Sequence, residues 1–269
     1  MKLDWQAHGG QGPTLLLVHG FLSSPRQWLL NLPGLTRHCR PVTVALHGHG
    51  GAPAPDQPTD YTPAAYGEAF ERIRCELGVE RWFVLGYSLG AGLTLQYTFR
   101  YPQRVIAHLF TNSTSALADH ERVAEWRSGA EESARRIIEG GHAAMERIAV
   151  HPVHARRLPA PVFEALREDA GHHVPLGIAN TLRYTNPLVS VRDRLEANPR
   201  PVRLICGQRE RRFQPLRDAA AASMPGLEII DLDAGHGMNM EAPDAFNDAV
   251  TTFLGRFRDQ DGPSGQTSR

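Results

Sequence analysis

Residues 82–97 read WFVLGYSLGAGLTLQY, and this stretch decides the fold. The apolar run Trp82–Leu85 predicts a buried strand, and Ala91–Tyr97 predicts a helix. Between them lies the pattern G-x-S-x-G, with Ser88 at its centre. A strand, this pattern and a helix in that order form a nucleophile elbow, a sharp turn that holds a serine hydroxyl out at the end of a sheet. We therefore predict that the backbone of Ser88 is strained and that the two flanking glycines let neighbouring elements approach closely.

Short apolar runs and helical patterns alternate along the rest of the chain. The other predicted strands are Thr14–Val18, Val42–Leu46, Val105–Phe110, Val202–Cys206 and Leu227–Leu232, and the predicted helices include Pro63–Leu77, Pro215–Ser223 and Pro243–Phe257. This alternation is typical of an α/β protein with a mostly parallel sheet flanked by helices. Sites in such sheets lie just beyond the carboxyl ends of the strands.

One stretch, residues 115–184, breaks the alternation because it is rich in helical patterns and charged residues. We interpret it as a helical cap inserted into an α/β core formed by residues 1–114 and 185–258. The alternative is a long surface crossover, which is less common at this length. The polar residues 259–269 are predicted to form a disordered tail.

The bulk composition narrows the class of protein. The chain has 269 residues, of which 41% are hydrophobic, and this is enough for one sizeable core. Lys plus Arg and Asp plus Glu each number 29, so there is no basic field to favour nucleic acid or an anionic membrane as a partner. We expect a small-molecule substrate, and a monomer or a homodimer.

The cysteines and the first residues indicate a cellular compartment. Cys39, Cys75 and Cys206 are odd in number and show no C-x-x-C spacing, so a reduced protein is the simpler interpretation. Residues Met1–Gly12 carry no apolar signal-peptide core, and no apolar run is long enough to span a bilayer. We therefore expect a cytoplasmic protein.

A serine nucleophile needs a general base, and His236 is the best candidate. It follows the last predicted strand, has glycines on both sides, and comes late in the chain. The order serine, acid, histidine is typical of this kind of site. The acid expected between them is Glu210, in the turn after the strand that ends at Cys206. Asp231 and Asp233 are the alternatives, and Glu210 could instead be a solvated partner of neighbouring arginines.

Two backbone N–H groups are expected to stabilise the oxyanion that forms during attack. One is the N–H of Leu89, directly after the serine, and the other is that of Phe21, in the loop after the first core strand. We interpret His19 as shaping that loop. The residues expected to bind substrate are Tyr87, His19, Arg122, Trp126 and Arg167.

Other motifs in the chain do not favour a cofactor or a metal. The glycines at 86 and 90 are not followed by Lys-Ser/Thr, and the glycine cluster at 9–12 precedes its strand, so neither predicts a nucleotide-binding loop. The pairs His47 with His49 and His172 with His173 lack matching acidic or cysteine partners. We interpret these four histidines as turn and surface residues, and predict no cofactor.

Together these motifs resemble the α/β-hydrolase superfamily over residues 3–257. A more particular resemblance is to the succinyl-hydroxy-cyclohexadiene-carboxylate synthases of the menaquinone pathway, lyases that eliminate pyruvate with a Ser-His-Asp triad and no cofactor. The similar stretches are His19–Phe21, Leu46–Gly50, Leu85–Gly90, Leu176–Leu182 and Leu204–Phe213. The resemblance implies the α/β-hydrolase fold with a helical cap.

The chain departs from those synthases at two positions. They typically carry an arginine four residues after the serine, which helps to bind substrate carboxylates, and here that position is Gly92. Glu210 stands where they have the triad aspartate. We therefore favour a serine hydrolase that acts on a small ester, thioester or activated C–C substrate. The alternatives are the pyruvate-eliminating lyase and a non-catalytic binding protein on the same scaffold.

Overall fold

A seven-stranded sheet forms the centre of the protein, whose computed structural model describes residues 2–257. The strands are β1 (Asp4–Ala7), β2 (Thr14–Val18), β3 (Arg40–Ala45), β4 (Trp82–Gly86), β5 (Val105–Thr111), β6 (Val202–Gly207) and β7 (Leu227–Leu232). Their order in the sheet is β1-β3-β2-β4-β5-β6-β7, and β1 alone among them pairs antiparallel. The predicted tail at 259–269 lies outside the described residues.

Helices connect the strands and cover both faces of the sheet. They are α1 (Leu32–Leu35), α2 (Pro63–Glu76), α3 (Leu89–Arg100), α4 (His120–Met145), α5 (Ala160–Ala170), α6 (Pro175–Asn180), α7 (Gln214–Ser223), α8 (Met238–Glu241) and α9 (Pro243–Gly255). The predicted α/β class with a mostly parallel sheet is confirmed. The strand β1 was not predicted, because its residues are mostly exposed at the sheet edge and form no apolar run.

Alternate side chains of each central strand enter different parts of the core. On β2, Leu15 and Leu17 pack in a cluster with Phe246 and Val250 of α9. Leu16 and Val18 pack in a second cluster, with residues of α2 and α3. Side chains that alternate between two covered faces explain why these strands read as continuous apolar runs.

The segment between β5 and β6, all of it within the described residues, contains helices and turns but no strand. Its longest helix, α4, is interrupted at Gly141, whose backbone angles are φ 55° and ψ −140°. The segment is hydrogen-bonded to the loops after β2 and β3. The Ser24 hydroxyl donates to Asp169 (2.5 Å), and the Gly50 N–H donates to Nδ1 of His173 (2.9 Å). The division into core and cap at residues 115 and 184 stays a prediction.

No helix within residues 2–257 combines the length and the apolar character needed to cross a membrane. Of the three cysteines, Cys39 and Cys206 are buried and Cys75 is exposed.

The histidine pairs are placed differently from the sequence interpretation. His47, His49 and His173 are 3%, 0% and 2% exposed, so the prediction of surface residues is wrong for these three, while His172 is exposed. His47 and His172 do lie in turns, as predicted. The reason is that the segment between β5 and β6 covers the loop after β3. The ring of His49 lies 5.3 Å from that of His19 and 5.6 Å from that of His173.

Burial keeps these imidazoles neutral. It lowers the pKa of His19 to about 3 and that of His173 to about 4, and it lowers the pKa of His49 well below its ordinary value. Within residues 2–257, no three His, Cys, Asp or Glu side chains are grouped to hold a metal ion.

The buried histidines should make the fold sensitive to acid. Below about pH 6.5 the unfolded chain takes up protons that the folded protein excludes, so the free energy of unfolding falls as the pH falls. At pH 5.5, His19 and His173, with pKa values of about 3 and about 4, each lower it by about 1.4 kcal/mol. We expect His173→Asn, which keeps an acceptor near the Gly50 N–H, to flatten the fall in melting temperature between pH 7.5 and 5.5. His172→Asn is the matched control and should keep the wild-type slope. An unchanged slope in His173→Asn would contradict the prediction.

Candidate active site

The turn between β4 and α3 has the conformation expected of an elbow. Ser88 has φ 52° and ψ −116°, a combination that side-chain-bearing residues rarely adopt. A Cβ atom on Gly90 would collide with the carbonyl oxygen of Val18, and one on Gly86 would collide with that of Gly90. Glycine is therefore required at both positions for β2, β4 and α3 to approach one another.

Neighbouring polar groups from the end of β5 hold this strained turn. The Ser88 N–H donates to the Thr111 hydroxyl (3.2 Å), and the Ser113 hydroxyl donates to the Ser88 carbonyl (2.7 Å). Thr111 and Ser113 are fully buried, so these bonds are shielded from water.

Three predicted residues meet at the carboxyl end of the sheet. The Ser88 Oγ lies 3.1 Å from Nε2 of His236, and Nδ1 of His236 lies 2.9 Å from Oε2 of Glu210. The side chains of His236 and Glu210 are 33% and 26% exposed, so both are accessible to a small molecule yet largely sheltered. This geometry allows the imidazole to take a proton from the serine while the carboxylate orients it.

Glu210 is held in its charged form. Burial alone raises the pKa of its carboxyl, but the hydrogen bond and charge interaction with His236, together with a hydrogen bond from Asn112, bring the pKa below its ordinary value. The Asn112 amide donates to the same oxygen, Oε2, at 2.7 Å. The same amide donates to the Gly207 carbonyl (3.0 Å), so it also ties β5 to β6.

The alternative acids are elsewhere. Asp231 pairs with Arg217 (2.5 Å) on the surface beside α7. Asp233 has a side chain that is 83% exposed and lies 3.4 Å from Arg209. The carboxyl group that hydrogen-bonds to the His236 ring is that of Glu210.

Tyr87 fixes the loop that carries His236. The Tyr87 hydroxyl donates to the His236 carbonyl (2.9 Å), and its ring packs edge-on against the imidazole at 5.3 Å. Burial, with the nearby charges of Glu210 and Glu241, raises the pKa of Tyr87. The hydroxyl therefore stays protonated and keeps its role as a donor.

A cavity of about 590 Å³ opens above Ser88. Its lining includes four of the other predicted residues, namely Phe21, Tyr87, Leu89 and Trp126. Leu89 is the first residue of α3, so no earlier helical carbonyl accepts a hydrogen bond from its N–H. Phe21 lies in the loop after β2 and lines the same cavity. The oxyanion hole itself stays a prediction.

Three predicted substrate residues are not brought to this cavity. His19 is fully buried, accepts at Nε2 from the Leu46 N–H (3.0 Å), and bonds through Nδ1 to the Gly20 carbonyl (2.8 Å), so it supports the loop instead. Arg122 is paired with Glu125 (2.8 Å) on the exposed face of α4. Arg167 is exposed on α5, away from the cavity lining.

Sequence reasoning missed two residues that support the site. Asn112 holds Glu210, and its one sequence signal is its place directly after a strand. Gln27 accepts from the Gly20 N–H (3.1 Å) and the Ser23 hydroxyl (2.8 Å), which fixes the loop that carries Phe21. In that loop Leu22 has a positive φ of 52°. No sequence pattern indicated Gln27, because its role depends on the irregular conformation of this loop.

Comparison with known proteins agrees with this architecture. The model of the alpha/beta hydrolase family matches residues 15–249. The chain belongs to that family. The match covers most of the sheet, including the elbow and the loop of His236.

Individual relatives differ in what their names say. A candidate 2-succinyl-6-hydroxy-2,4-cyclohexadiene-1-carboxylate synthase from Bacillus subtilis (strain 168) is 27% identical over 256 residues, covering 91% of this chain and 92% of that protein. Carboxylesterase YbfK from the same organism is 26% identical over 252 residues, covering 90% and 80%. The crystal structure of a hydrolase from Pseudomonas aeruginosa PA01 is 28% identical, with a TM-score of 0.79 and 94% of each chain covered. The chain is thus similar both to hydrolases and to the synthase that the sequence resembled.

Proposed function

We propose that this protein is a serine-dependent hydrolase that cleaves a small ester or thioester. The observation that carries the proposal is the connected set of side chains, with Ser88 3.1 Å from His236 and His236 2.9 Å from Glu210. The similarity to a carboxylesterase and to a hydrolase from Pseudomonas aeruginosa supports it. We further propose a cytoplasmic protein that works as a monomer or a homodimer.

The proposed reaction has two halves. The Ser88 Oγ attacks the carbonyl carbon while Nε2 of His236 takes its proton, and the N–H groups of Phe21 and Leu89 stabilise the negative oxygen. His236 then gives the proton to the departing alcohol or thiol. A water molecule, activated by His236, cleaves the acyl group from Ser88. Throughout, the Glu210 carboxylate stabilises the charged imidazole.

The lyase is the second candidate, and the similarity to the Bacillus subtilis synthase favours it. The structure weakens it at Gly92. A Cβ atom there would lie 2.7 Å from Cβ of Val189, so the position faces a packed residue of the segment between β5 and β6. Any side chain in place of Gly92 would require Val189 to shift. Glycine supplies no charge for a substrate carboxylate at this position.

One experiment separates the two candidates. We expect a fluorophosphonate probe to add a single adduct at Ser88, seen by intact mass and peptide mapping, and short-chain aryl esters to be hydrolysed. With the succinyl-cyclohexene intermediate from which the synthase eliminates pyruvate, we expect pyruvate release to be about ten- to a hundredfold slower than that of a dedicated lyase, since one charge-assisted contact is absent. Efficient pyruvate release with esters ignored would reverse the order of the candidates. An unlabelled Ser88 would contradict both the hydrolase and the elbow assignment.

A further inference from the structure

A second cavity, of about 670 Å³, adjoins the one above Ser88. Phe21 lines both cavities. Opposite Phe21, the chain passes from one cavity to the other between consecutive residues, because Ile148 lines the second cavity and Ala149 lines the first. Phe21 and the junction between Ile148 and Ala149 therefore border both cavities.

The interior of the second cavity is apolar. Ile137 is 3% exposed and belongs to a buried cluster with Leu22, and Ala144, Ile148 and Leu182 pack against the same cluster. An apolar wall of this kind favours alkyl groups, because binding removes apolar surface from contact with water.

The charged residues that line the second cavity are Arg136, Glu139 and Arg147, and all three are exposed. Arg136 is paired with Glu132 (3.0 Å), and Glu139 is paired with Arg135 (3.0 Å). These side chains are 47–67% exposed. The lining therefore carries charges of both signs on exposed side chains, whereas its buried part is apolar.

The interruption of α4 lies beside this cavity, which is lined by Gly140 and Ala143. The helix ends its regular course at Gly141, with φ 55°, and the chain then turns past residues 143–148 toward the active-site cavity. The fold thus places a largely apolar cavity next to the one that contains Ser88, with Phe21 lining both.

We propose that the second cavity binds the unbranched alkyl tail of an ester whose carbonyl group is at Ser88, with the ring of Phe21 between the two sites. The proposal rests on the proposed hydrolase function and names its substrate class. The tail belongs to the acyl part or to the alcohol part of the ester, and the same apolar contacts serve both.

Chain-length profiles test the proposal. Each methylene group buried in an apolar site strengthens binding about fourfold. We expect kcat/KM for p-nitrophenyl octanoate to exceed that for the acetate at least about tenfold, since several methylene groups enter the cavity. A parallel pair, octyl acetate against ethyl acetate, shows whether the alcohol tail gains instead. A flat profile in both series would overturn the proposal.

Variants that fill the second cavity give the sharper result. Ala144→Trp places a large ring inside it, and Ala143→Trp does so from an exposed position where the fold tolerates bulk more easily. Both should reduce the octyl-to-short preference at least about tenfold. Ala124→Trp, an exposed position of α4 that lines neither cavity, is the matched control and should keep the wild-type ratio. Equal preferences in the control and in a folded cavity-filling variant would overturn the proposal.

A binding measurement separates this proposal from the hydrolase itself. In Ser88→Ala, 2-decanone, a ketone with a long alkyl tail, should bind at least about tenfold more tightly than 2-butanone by calorimetry. Ala143→Trp in the same background should remove that difference. If esters are not hydrolysed but the ketones show this pattern, the hydrolase proposal fails and the alkyl site stands. If esters are hydrolysed without any chain-length effect, the alkyl site fails and the hydrolase stands.

Discussion

Replacing Ser88 or His236 with alanine is expected to lower kcat/KM for a hydrolysed ester by about 10³-fold or more. Ser88→Ala removes the attacking oxygen, and His236→Ala removes the acceptor that lies 3.1 Å from it. Because the two groups act in the same step, the double variant should lose little more than either single variant. Steady-state rates with one aryl ester, measured against the uncatalysed reaction, give these values.

Matched variants distinguish lost chemistry from lost structure. Ser115→Ala removes a serine that lines the same cavity, and His172→Ala removes an exposed histidine. Both should stay within a few fold of the wild-type rate. Circular dichroism and melting temperature should show that Ser88→Ala and His236→Ala are folded. Near-normal turnover in either of these two would show that the triad assignment is wrong.

The sheet could be predicted from the sequence because its signals are local. Strand Thr14–Val18 has the predicted ends, since continuous apolar runs bounded by turn residues are typical of strands covered on both faces. Leu227–Leu232 also has the predicted ends, although it is a partly buried edge strand. Edge strand Asp4–Ala7 offered no such run. Its position depends on pairing with β3, which no short window of sequence contains.

The central residues of the site were also predictable, because a G-x-S-x-G turn and a Gly-His-Gly loop impose their own backbone geometry. The residues that support the site through hydrogen bonds from other positions of the chain could not be predicted in this way. Asn112 and Gln27 hold Glu210 and the Phe21 loop through contacts across 98 and 7 positions of the chain. His49 and His173 were placed on the surface because their burial results from how the segment between β5 and β6 covers the β3 loop, and composition does not encode that contact.

The proposed orienting role of Glu210 leads to the second large effect. Glu210→Gln is expected to lower kcat on the order of 10²–10³-fold, and Glu210→Asp less. A single oxygen, Oε2, accepts from both His236 (2.9 Å) and Asn112 (2.7 Å). A glutamine can place its own amide oxygen there and keep both hydrogen bonds, so its loss reports the missing negative charge that stabilises the imidazolium. Aspartate keeps the charge but sets it back by one methylene group.

The control and a third substitution make the Glu210 result interpretable. Asp233→Asn removes an exposed carboxylate near the same loop, paired with Arg209, and should leave kcat within a few fold of wild type. Glu210→Ala should lose more than Glu210→Gln, because it removes the acceptor that fixes the histidine tautomer as well as the charge. The difference in kcat between these two variants measures the contribution of orienting the imidazole. The loss of kcat in Glu210→Gln measures the contribution of the negative charge. A Glu210→Gln protein with unchanged kcat would show that the carboxylate does not take part, and Asp231→Asn would then be the next variant to measure.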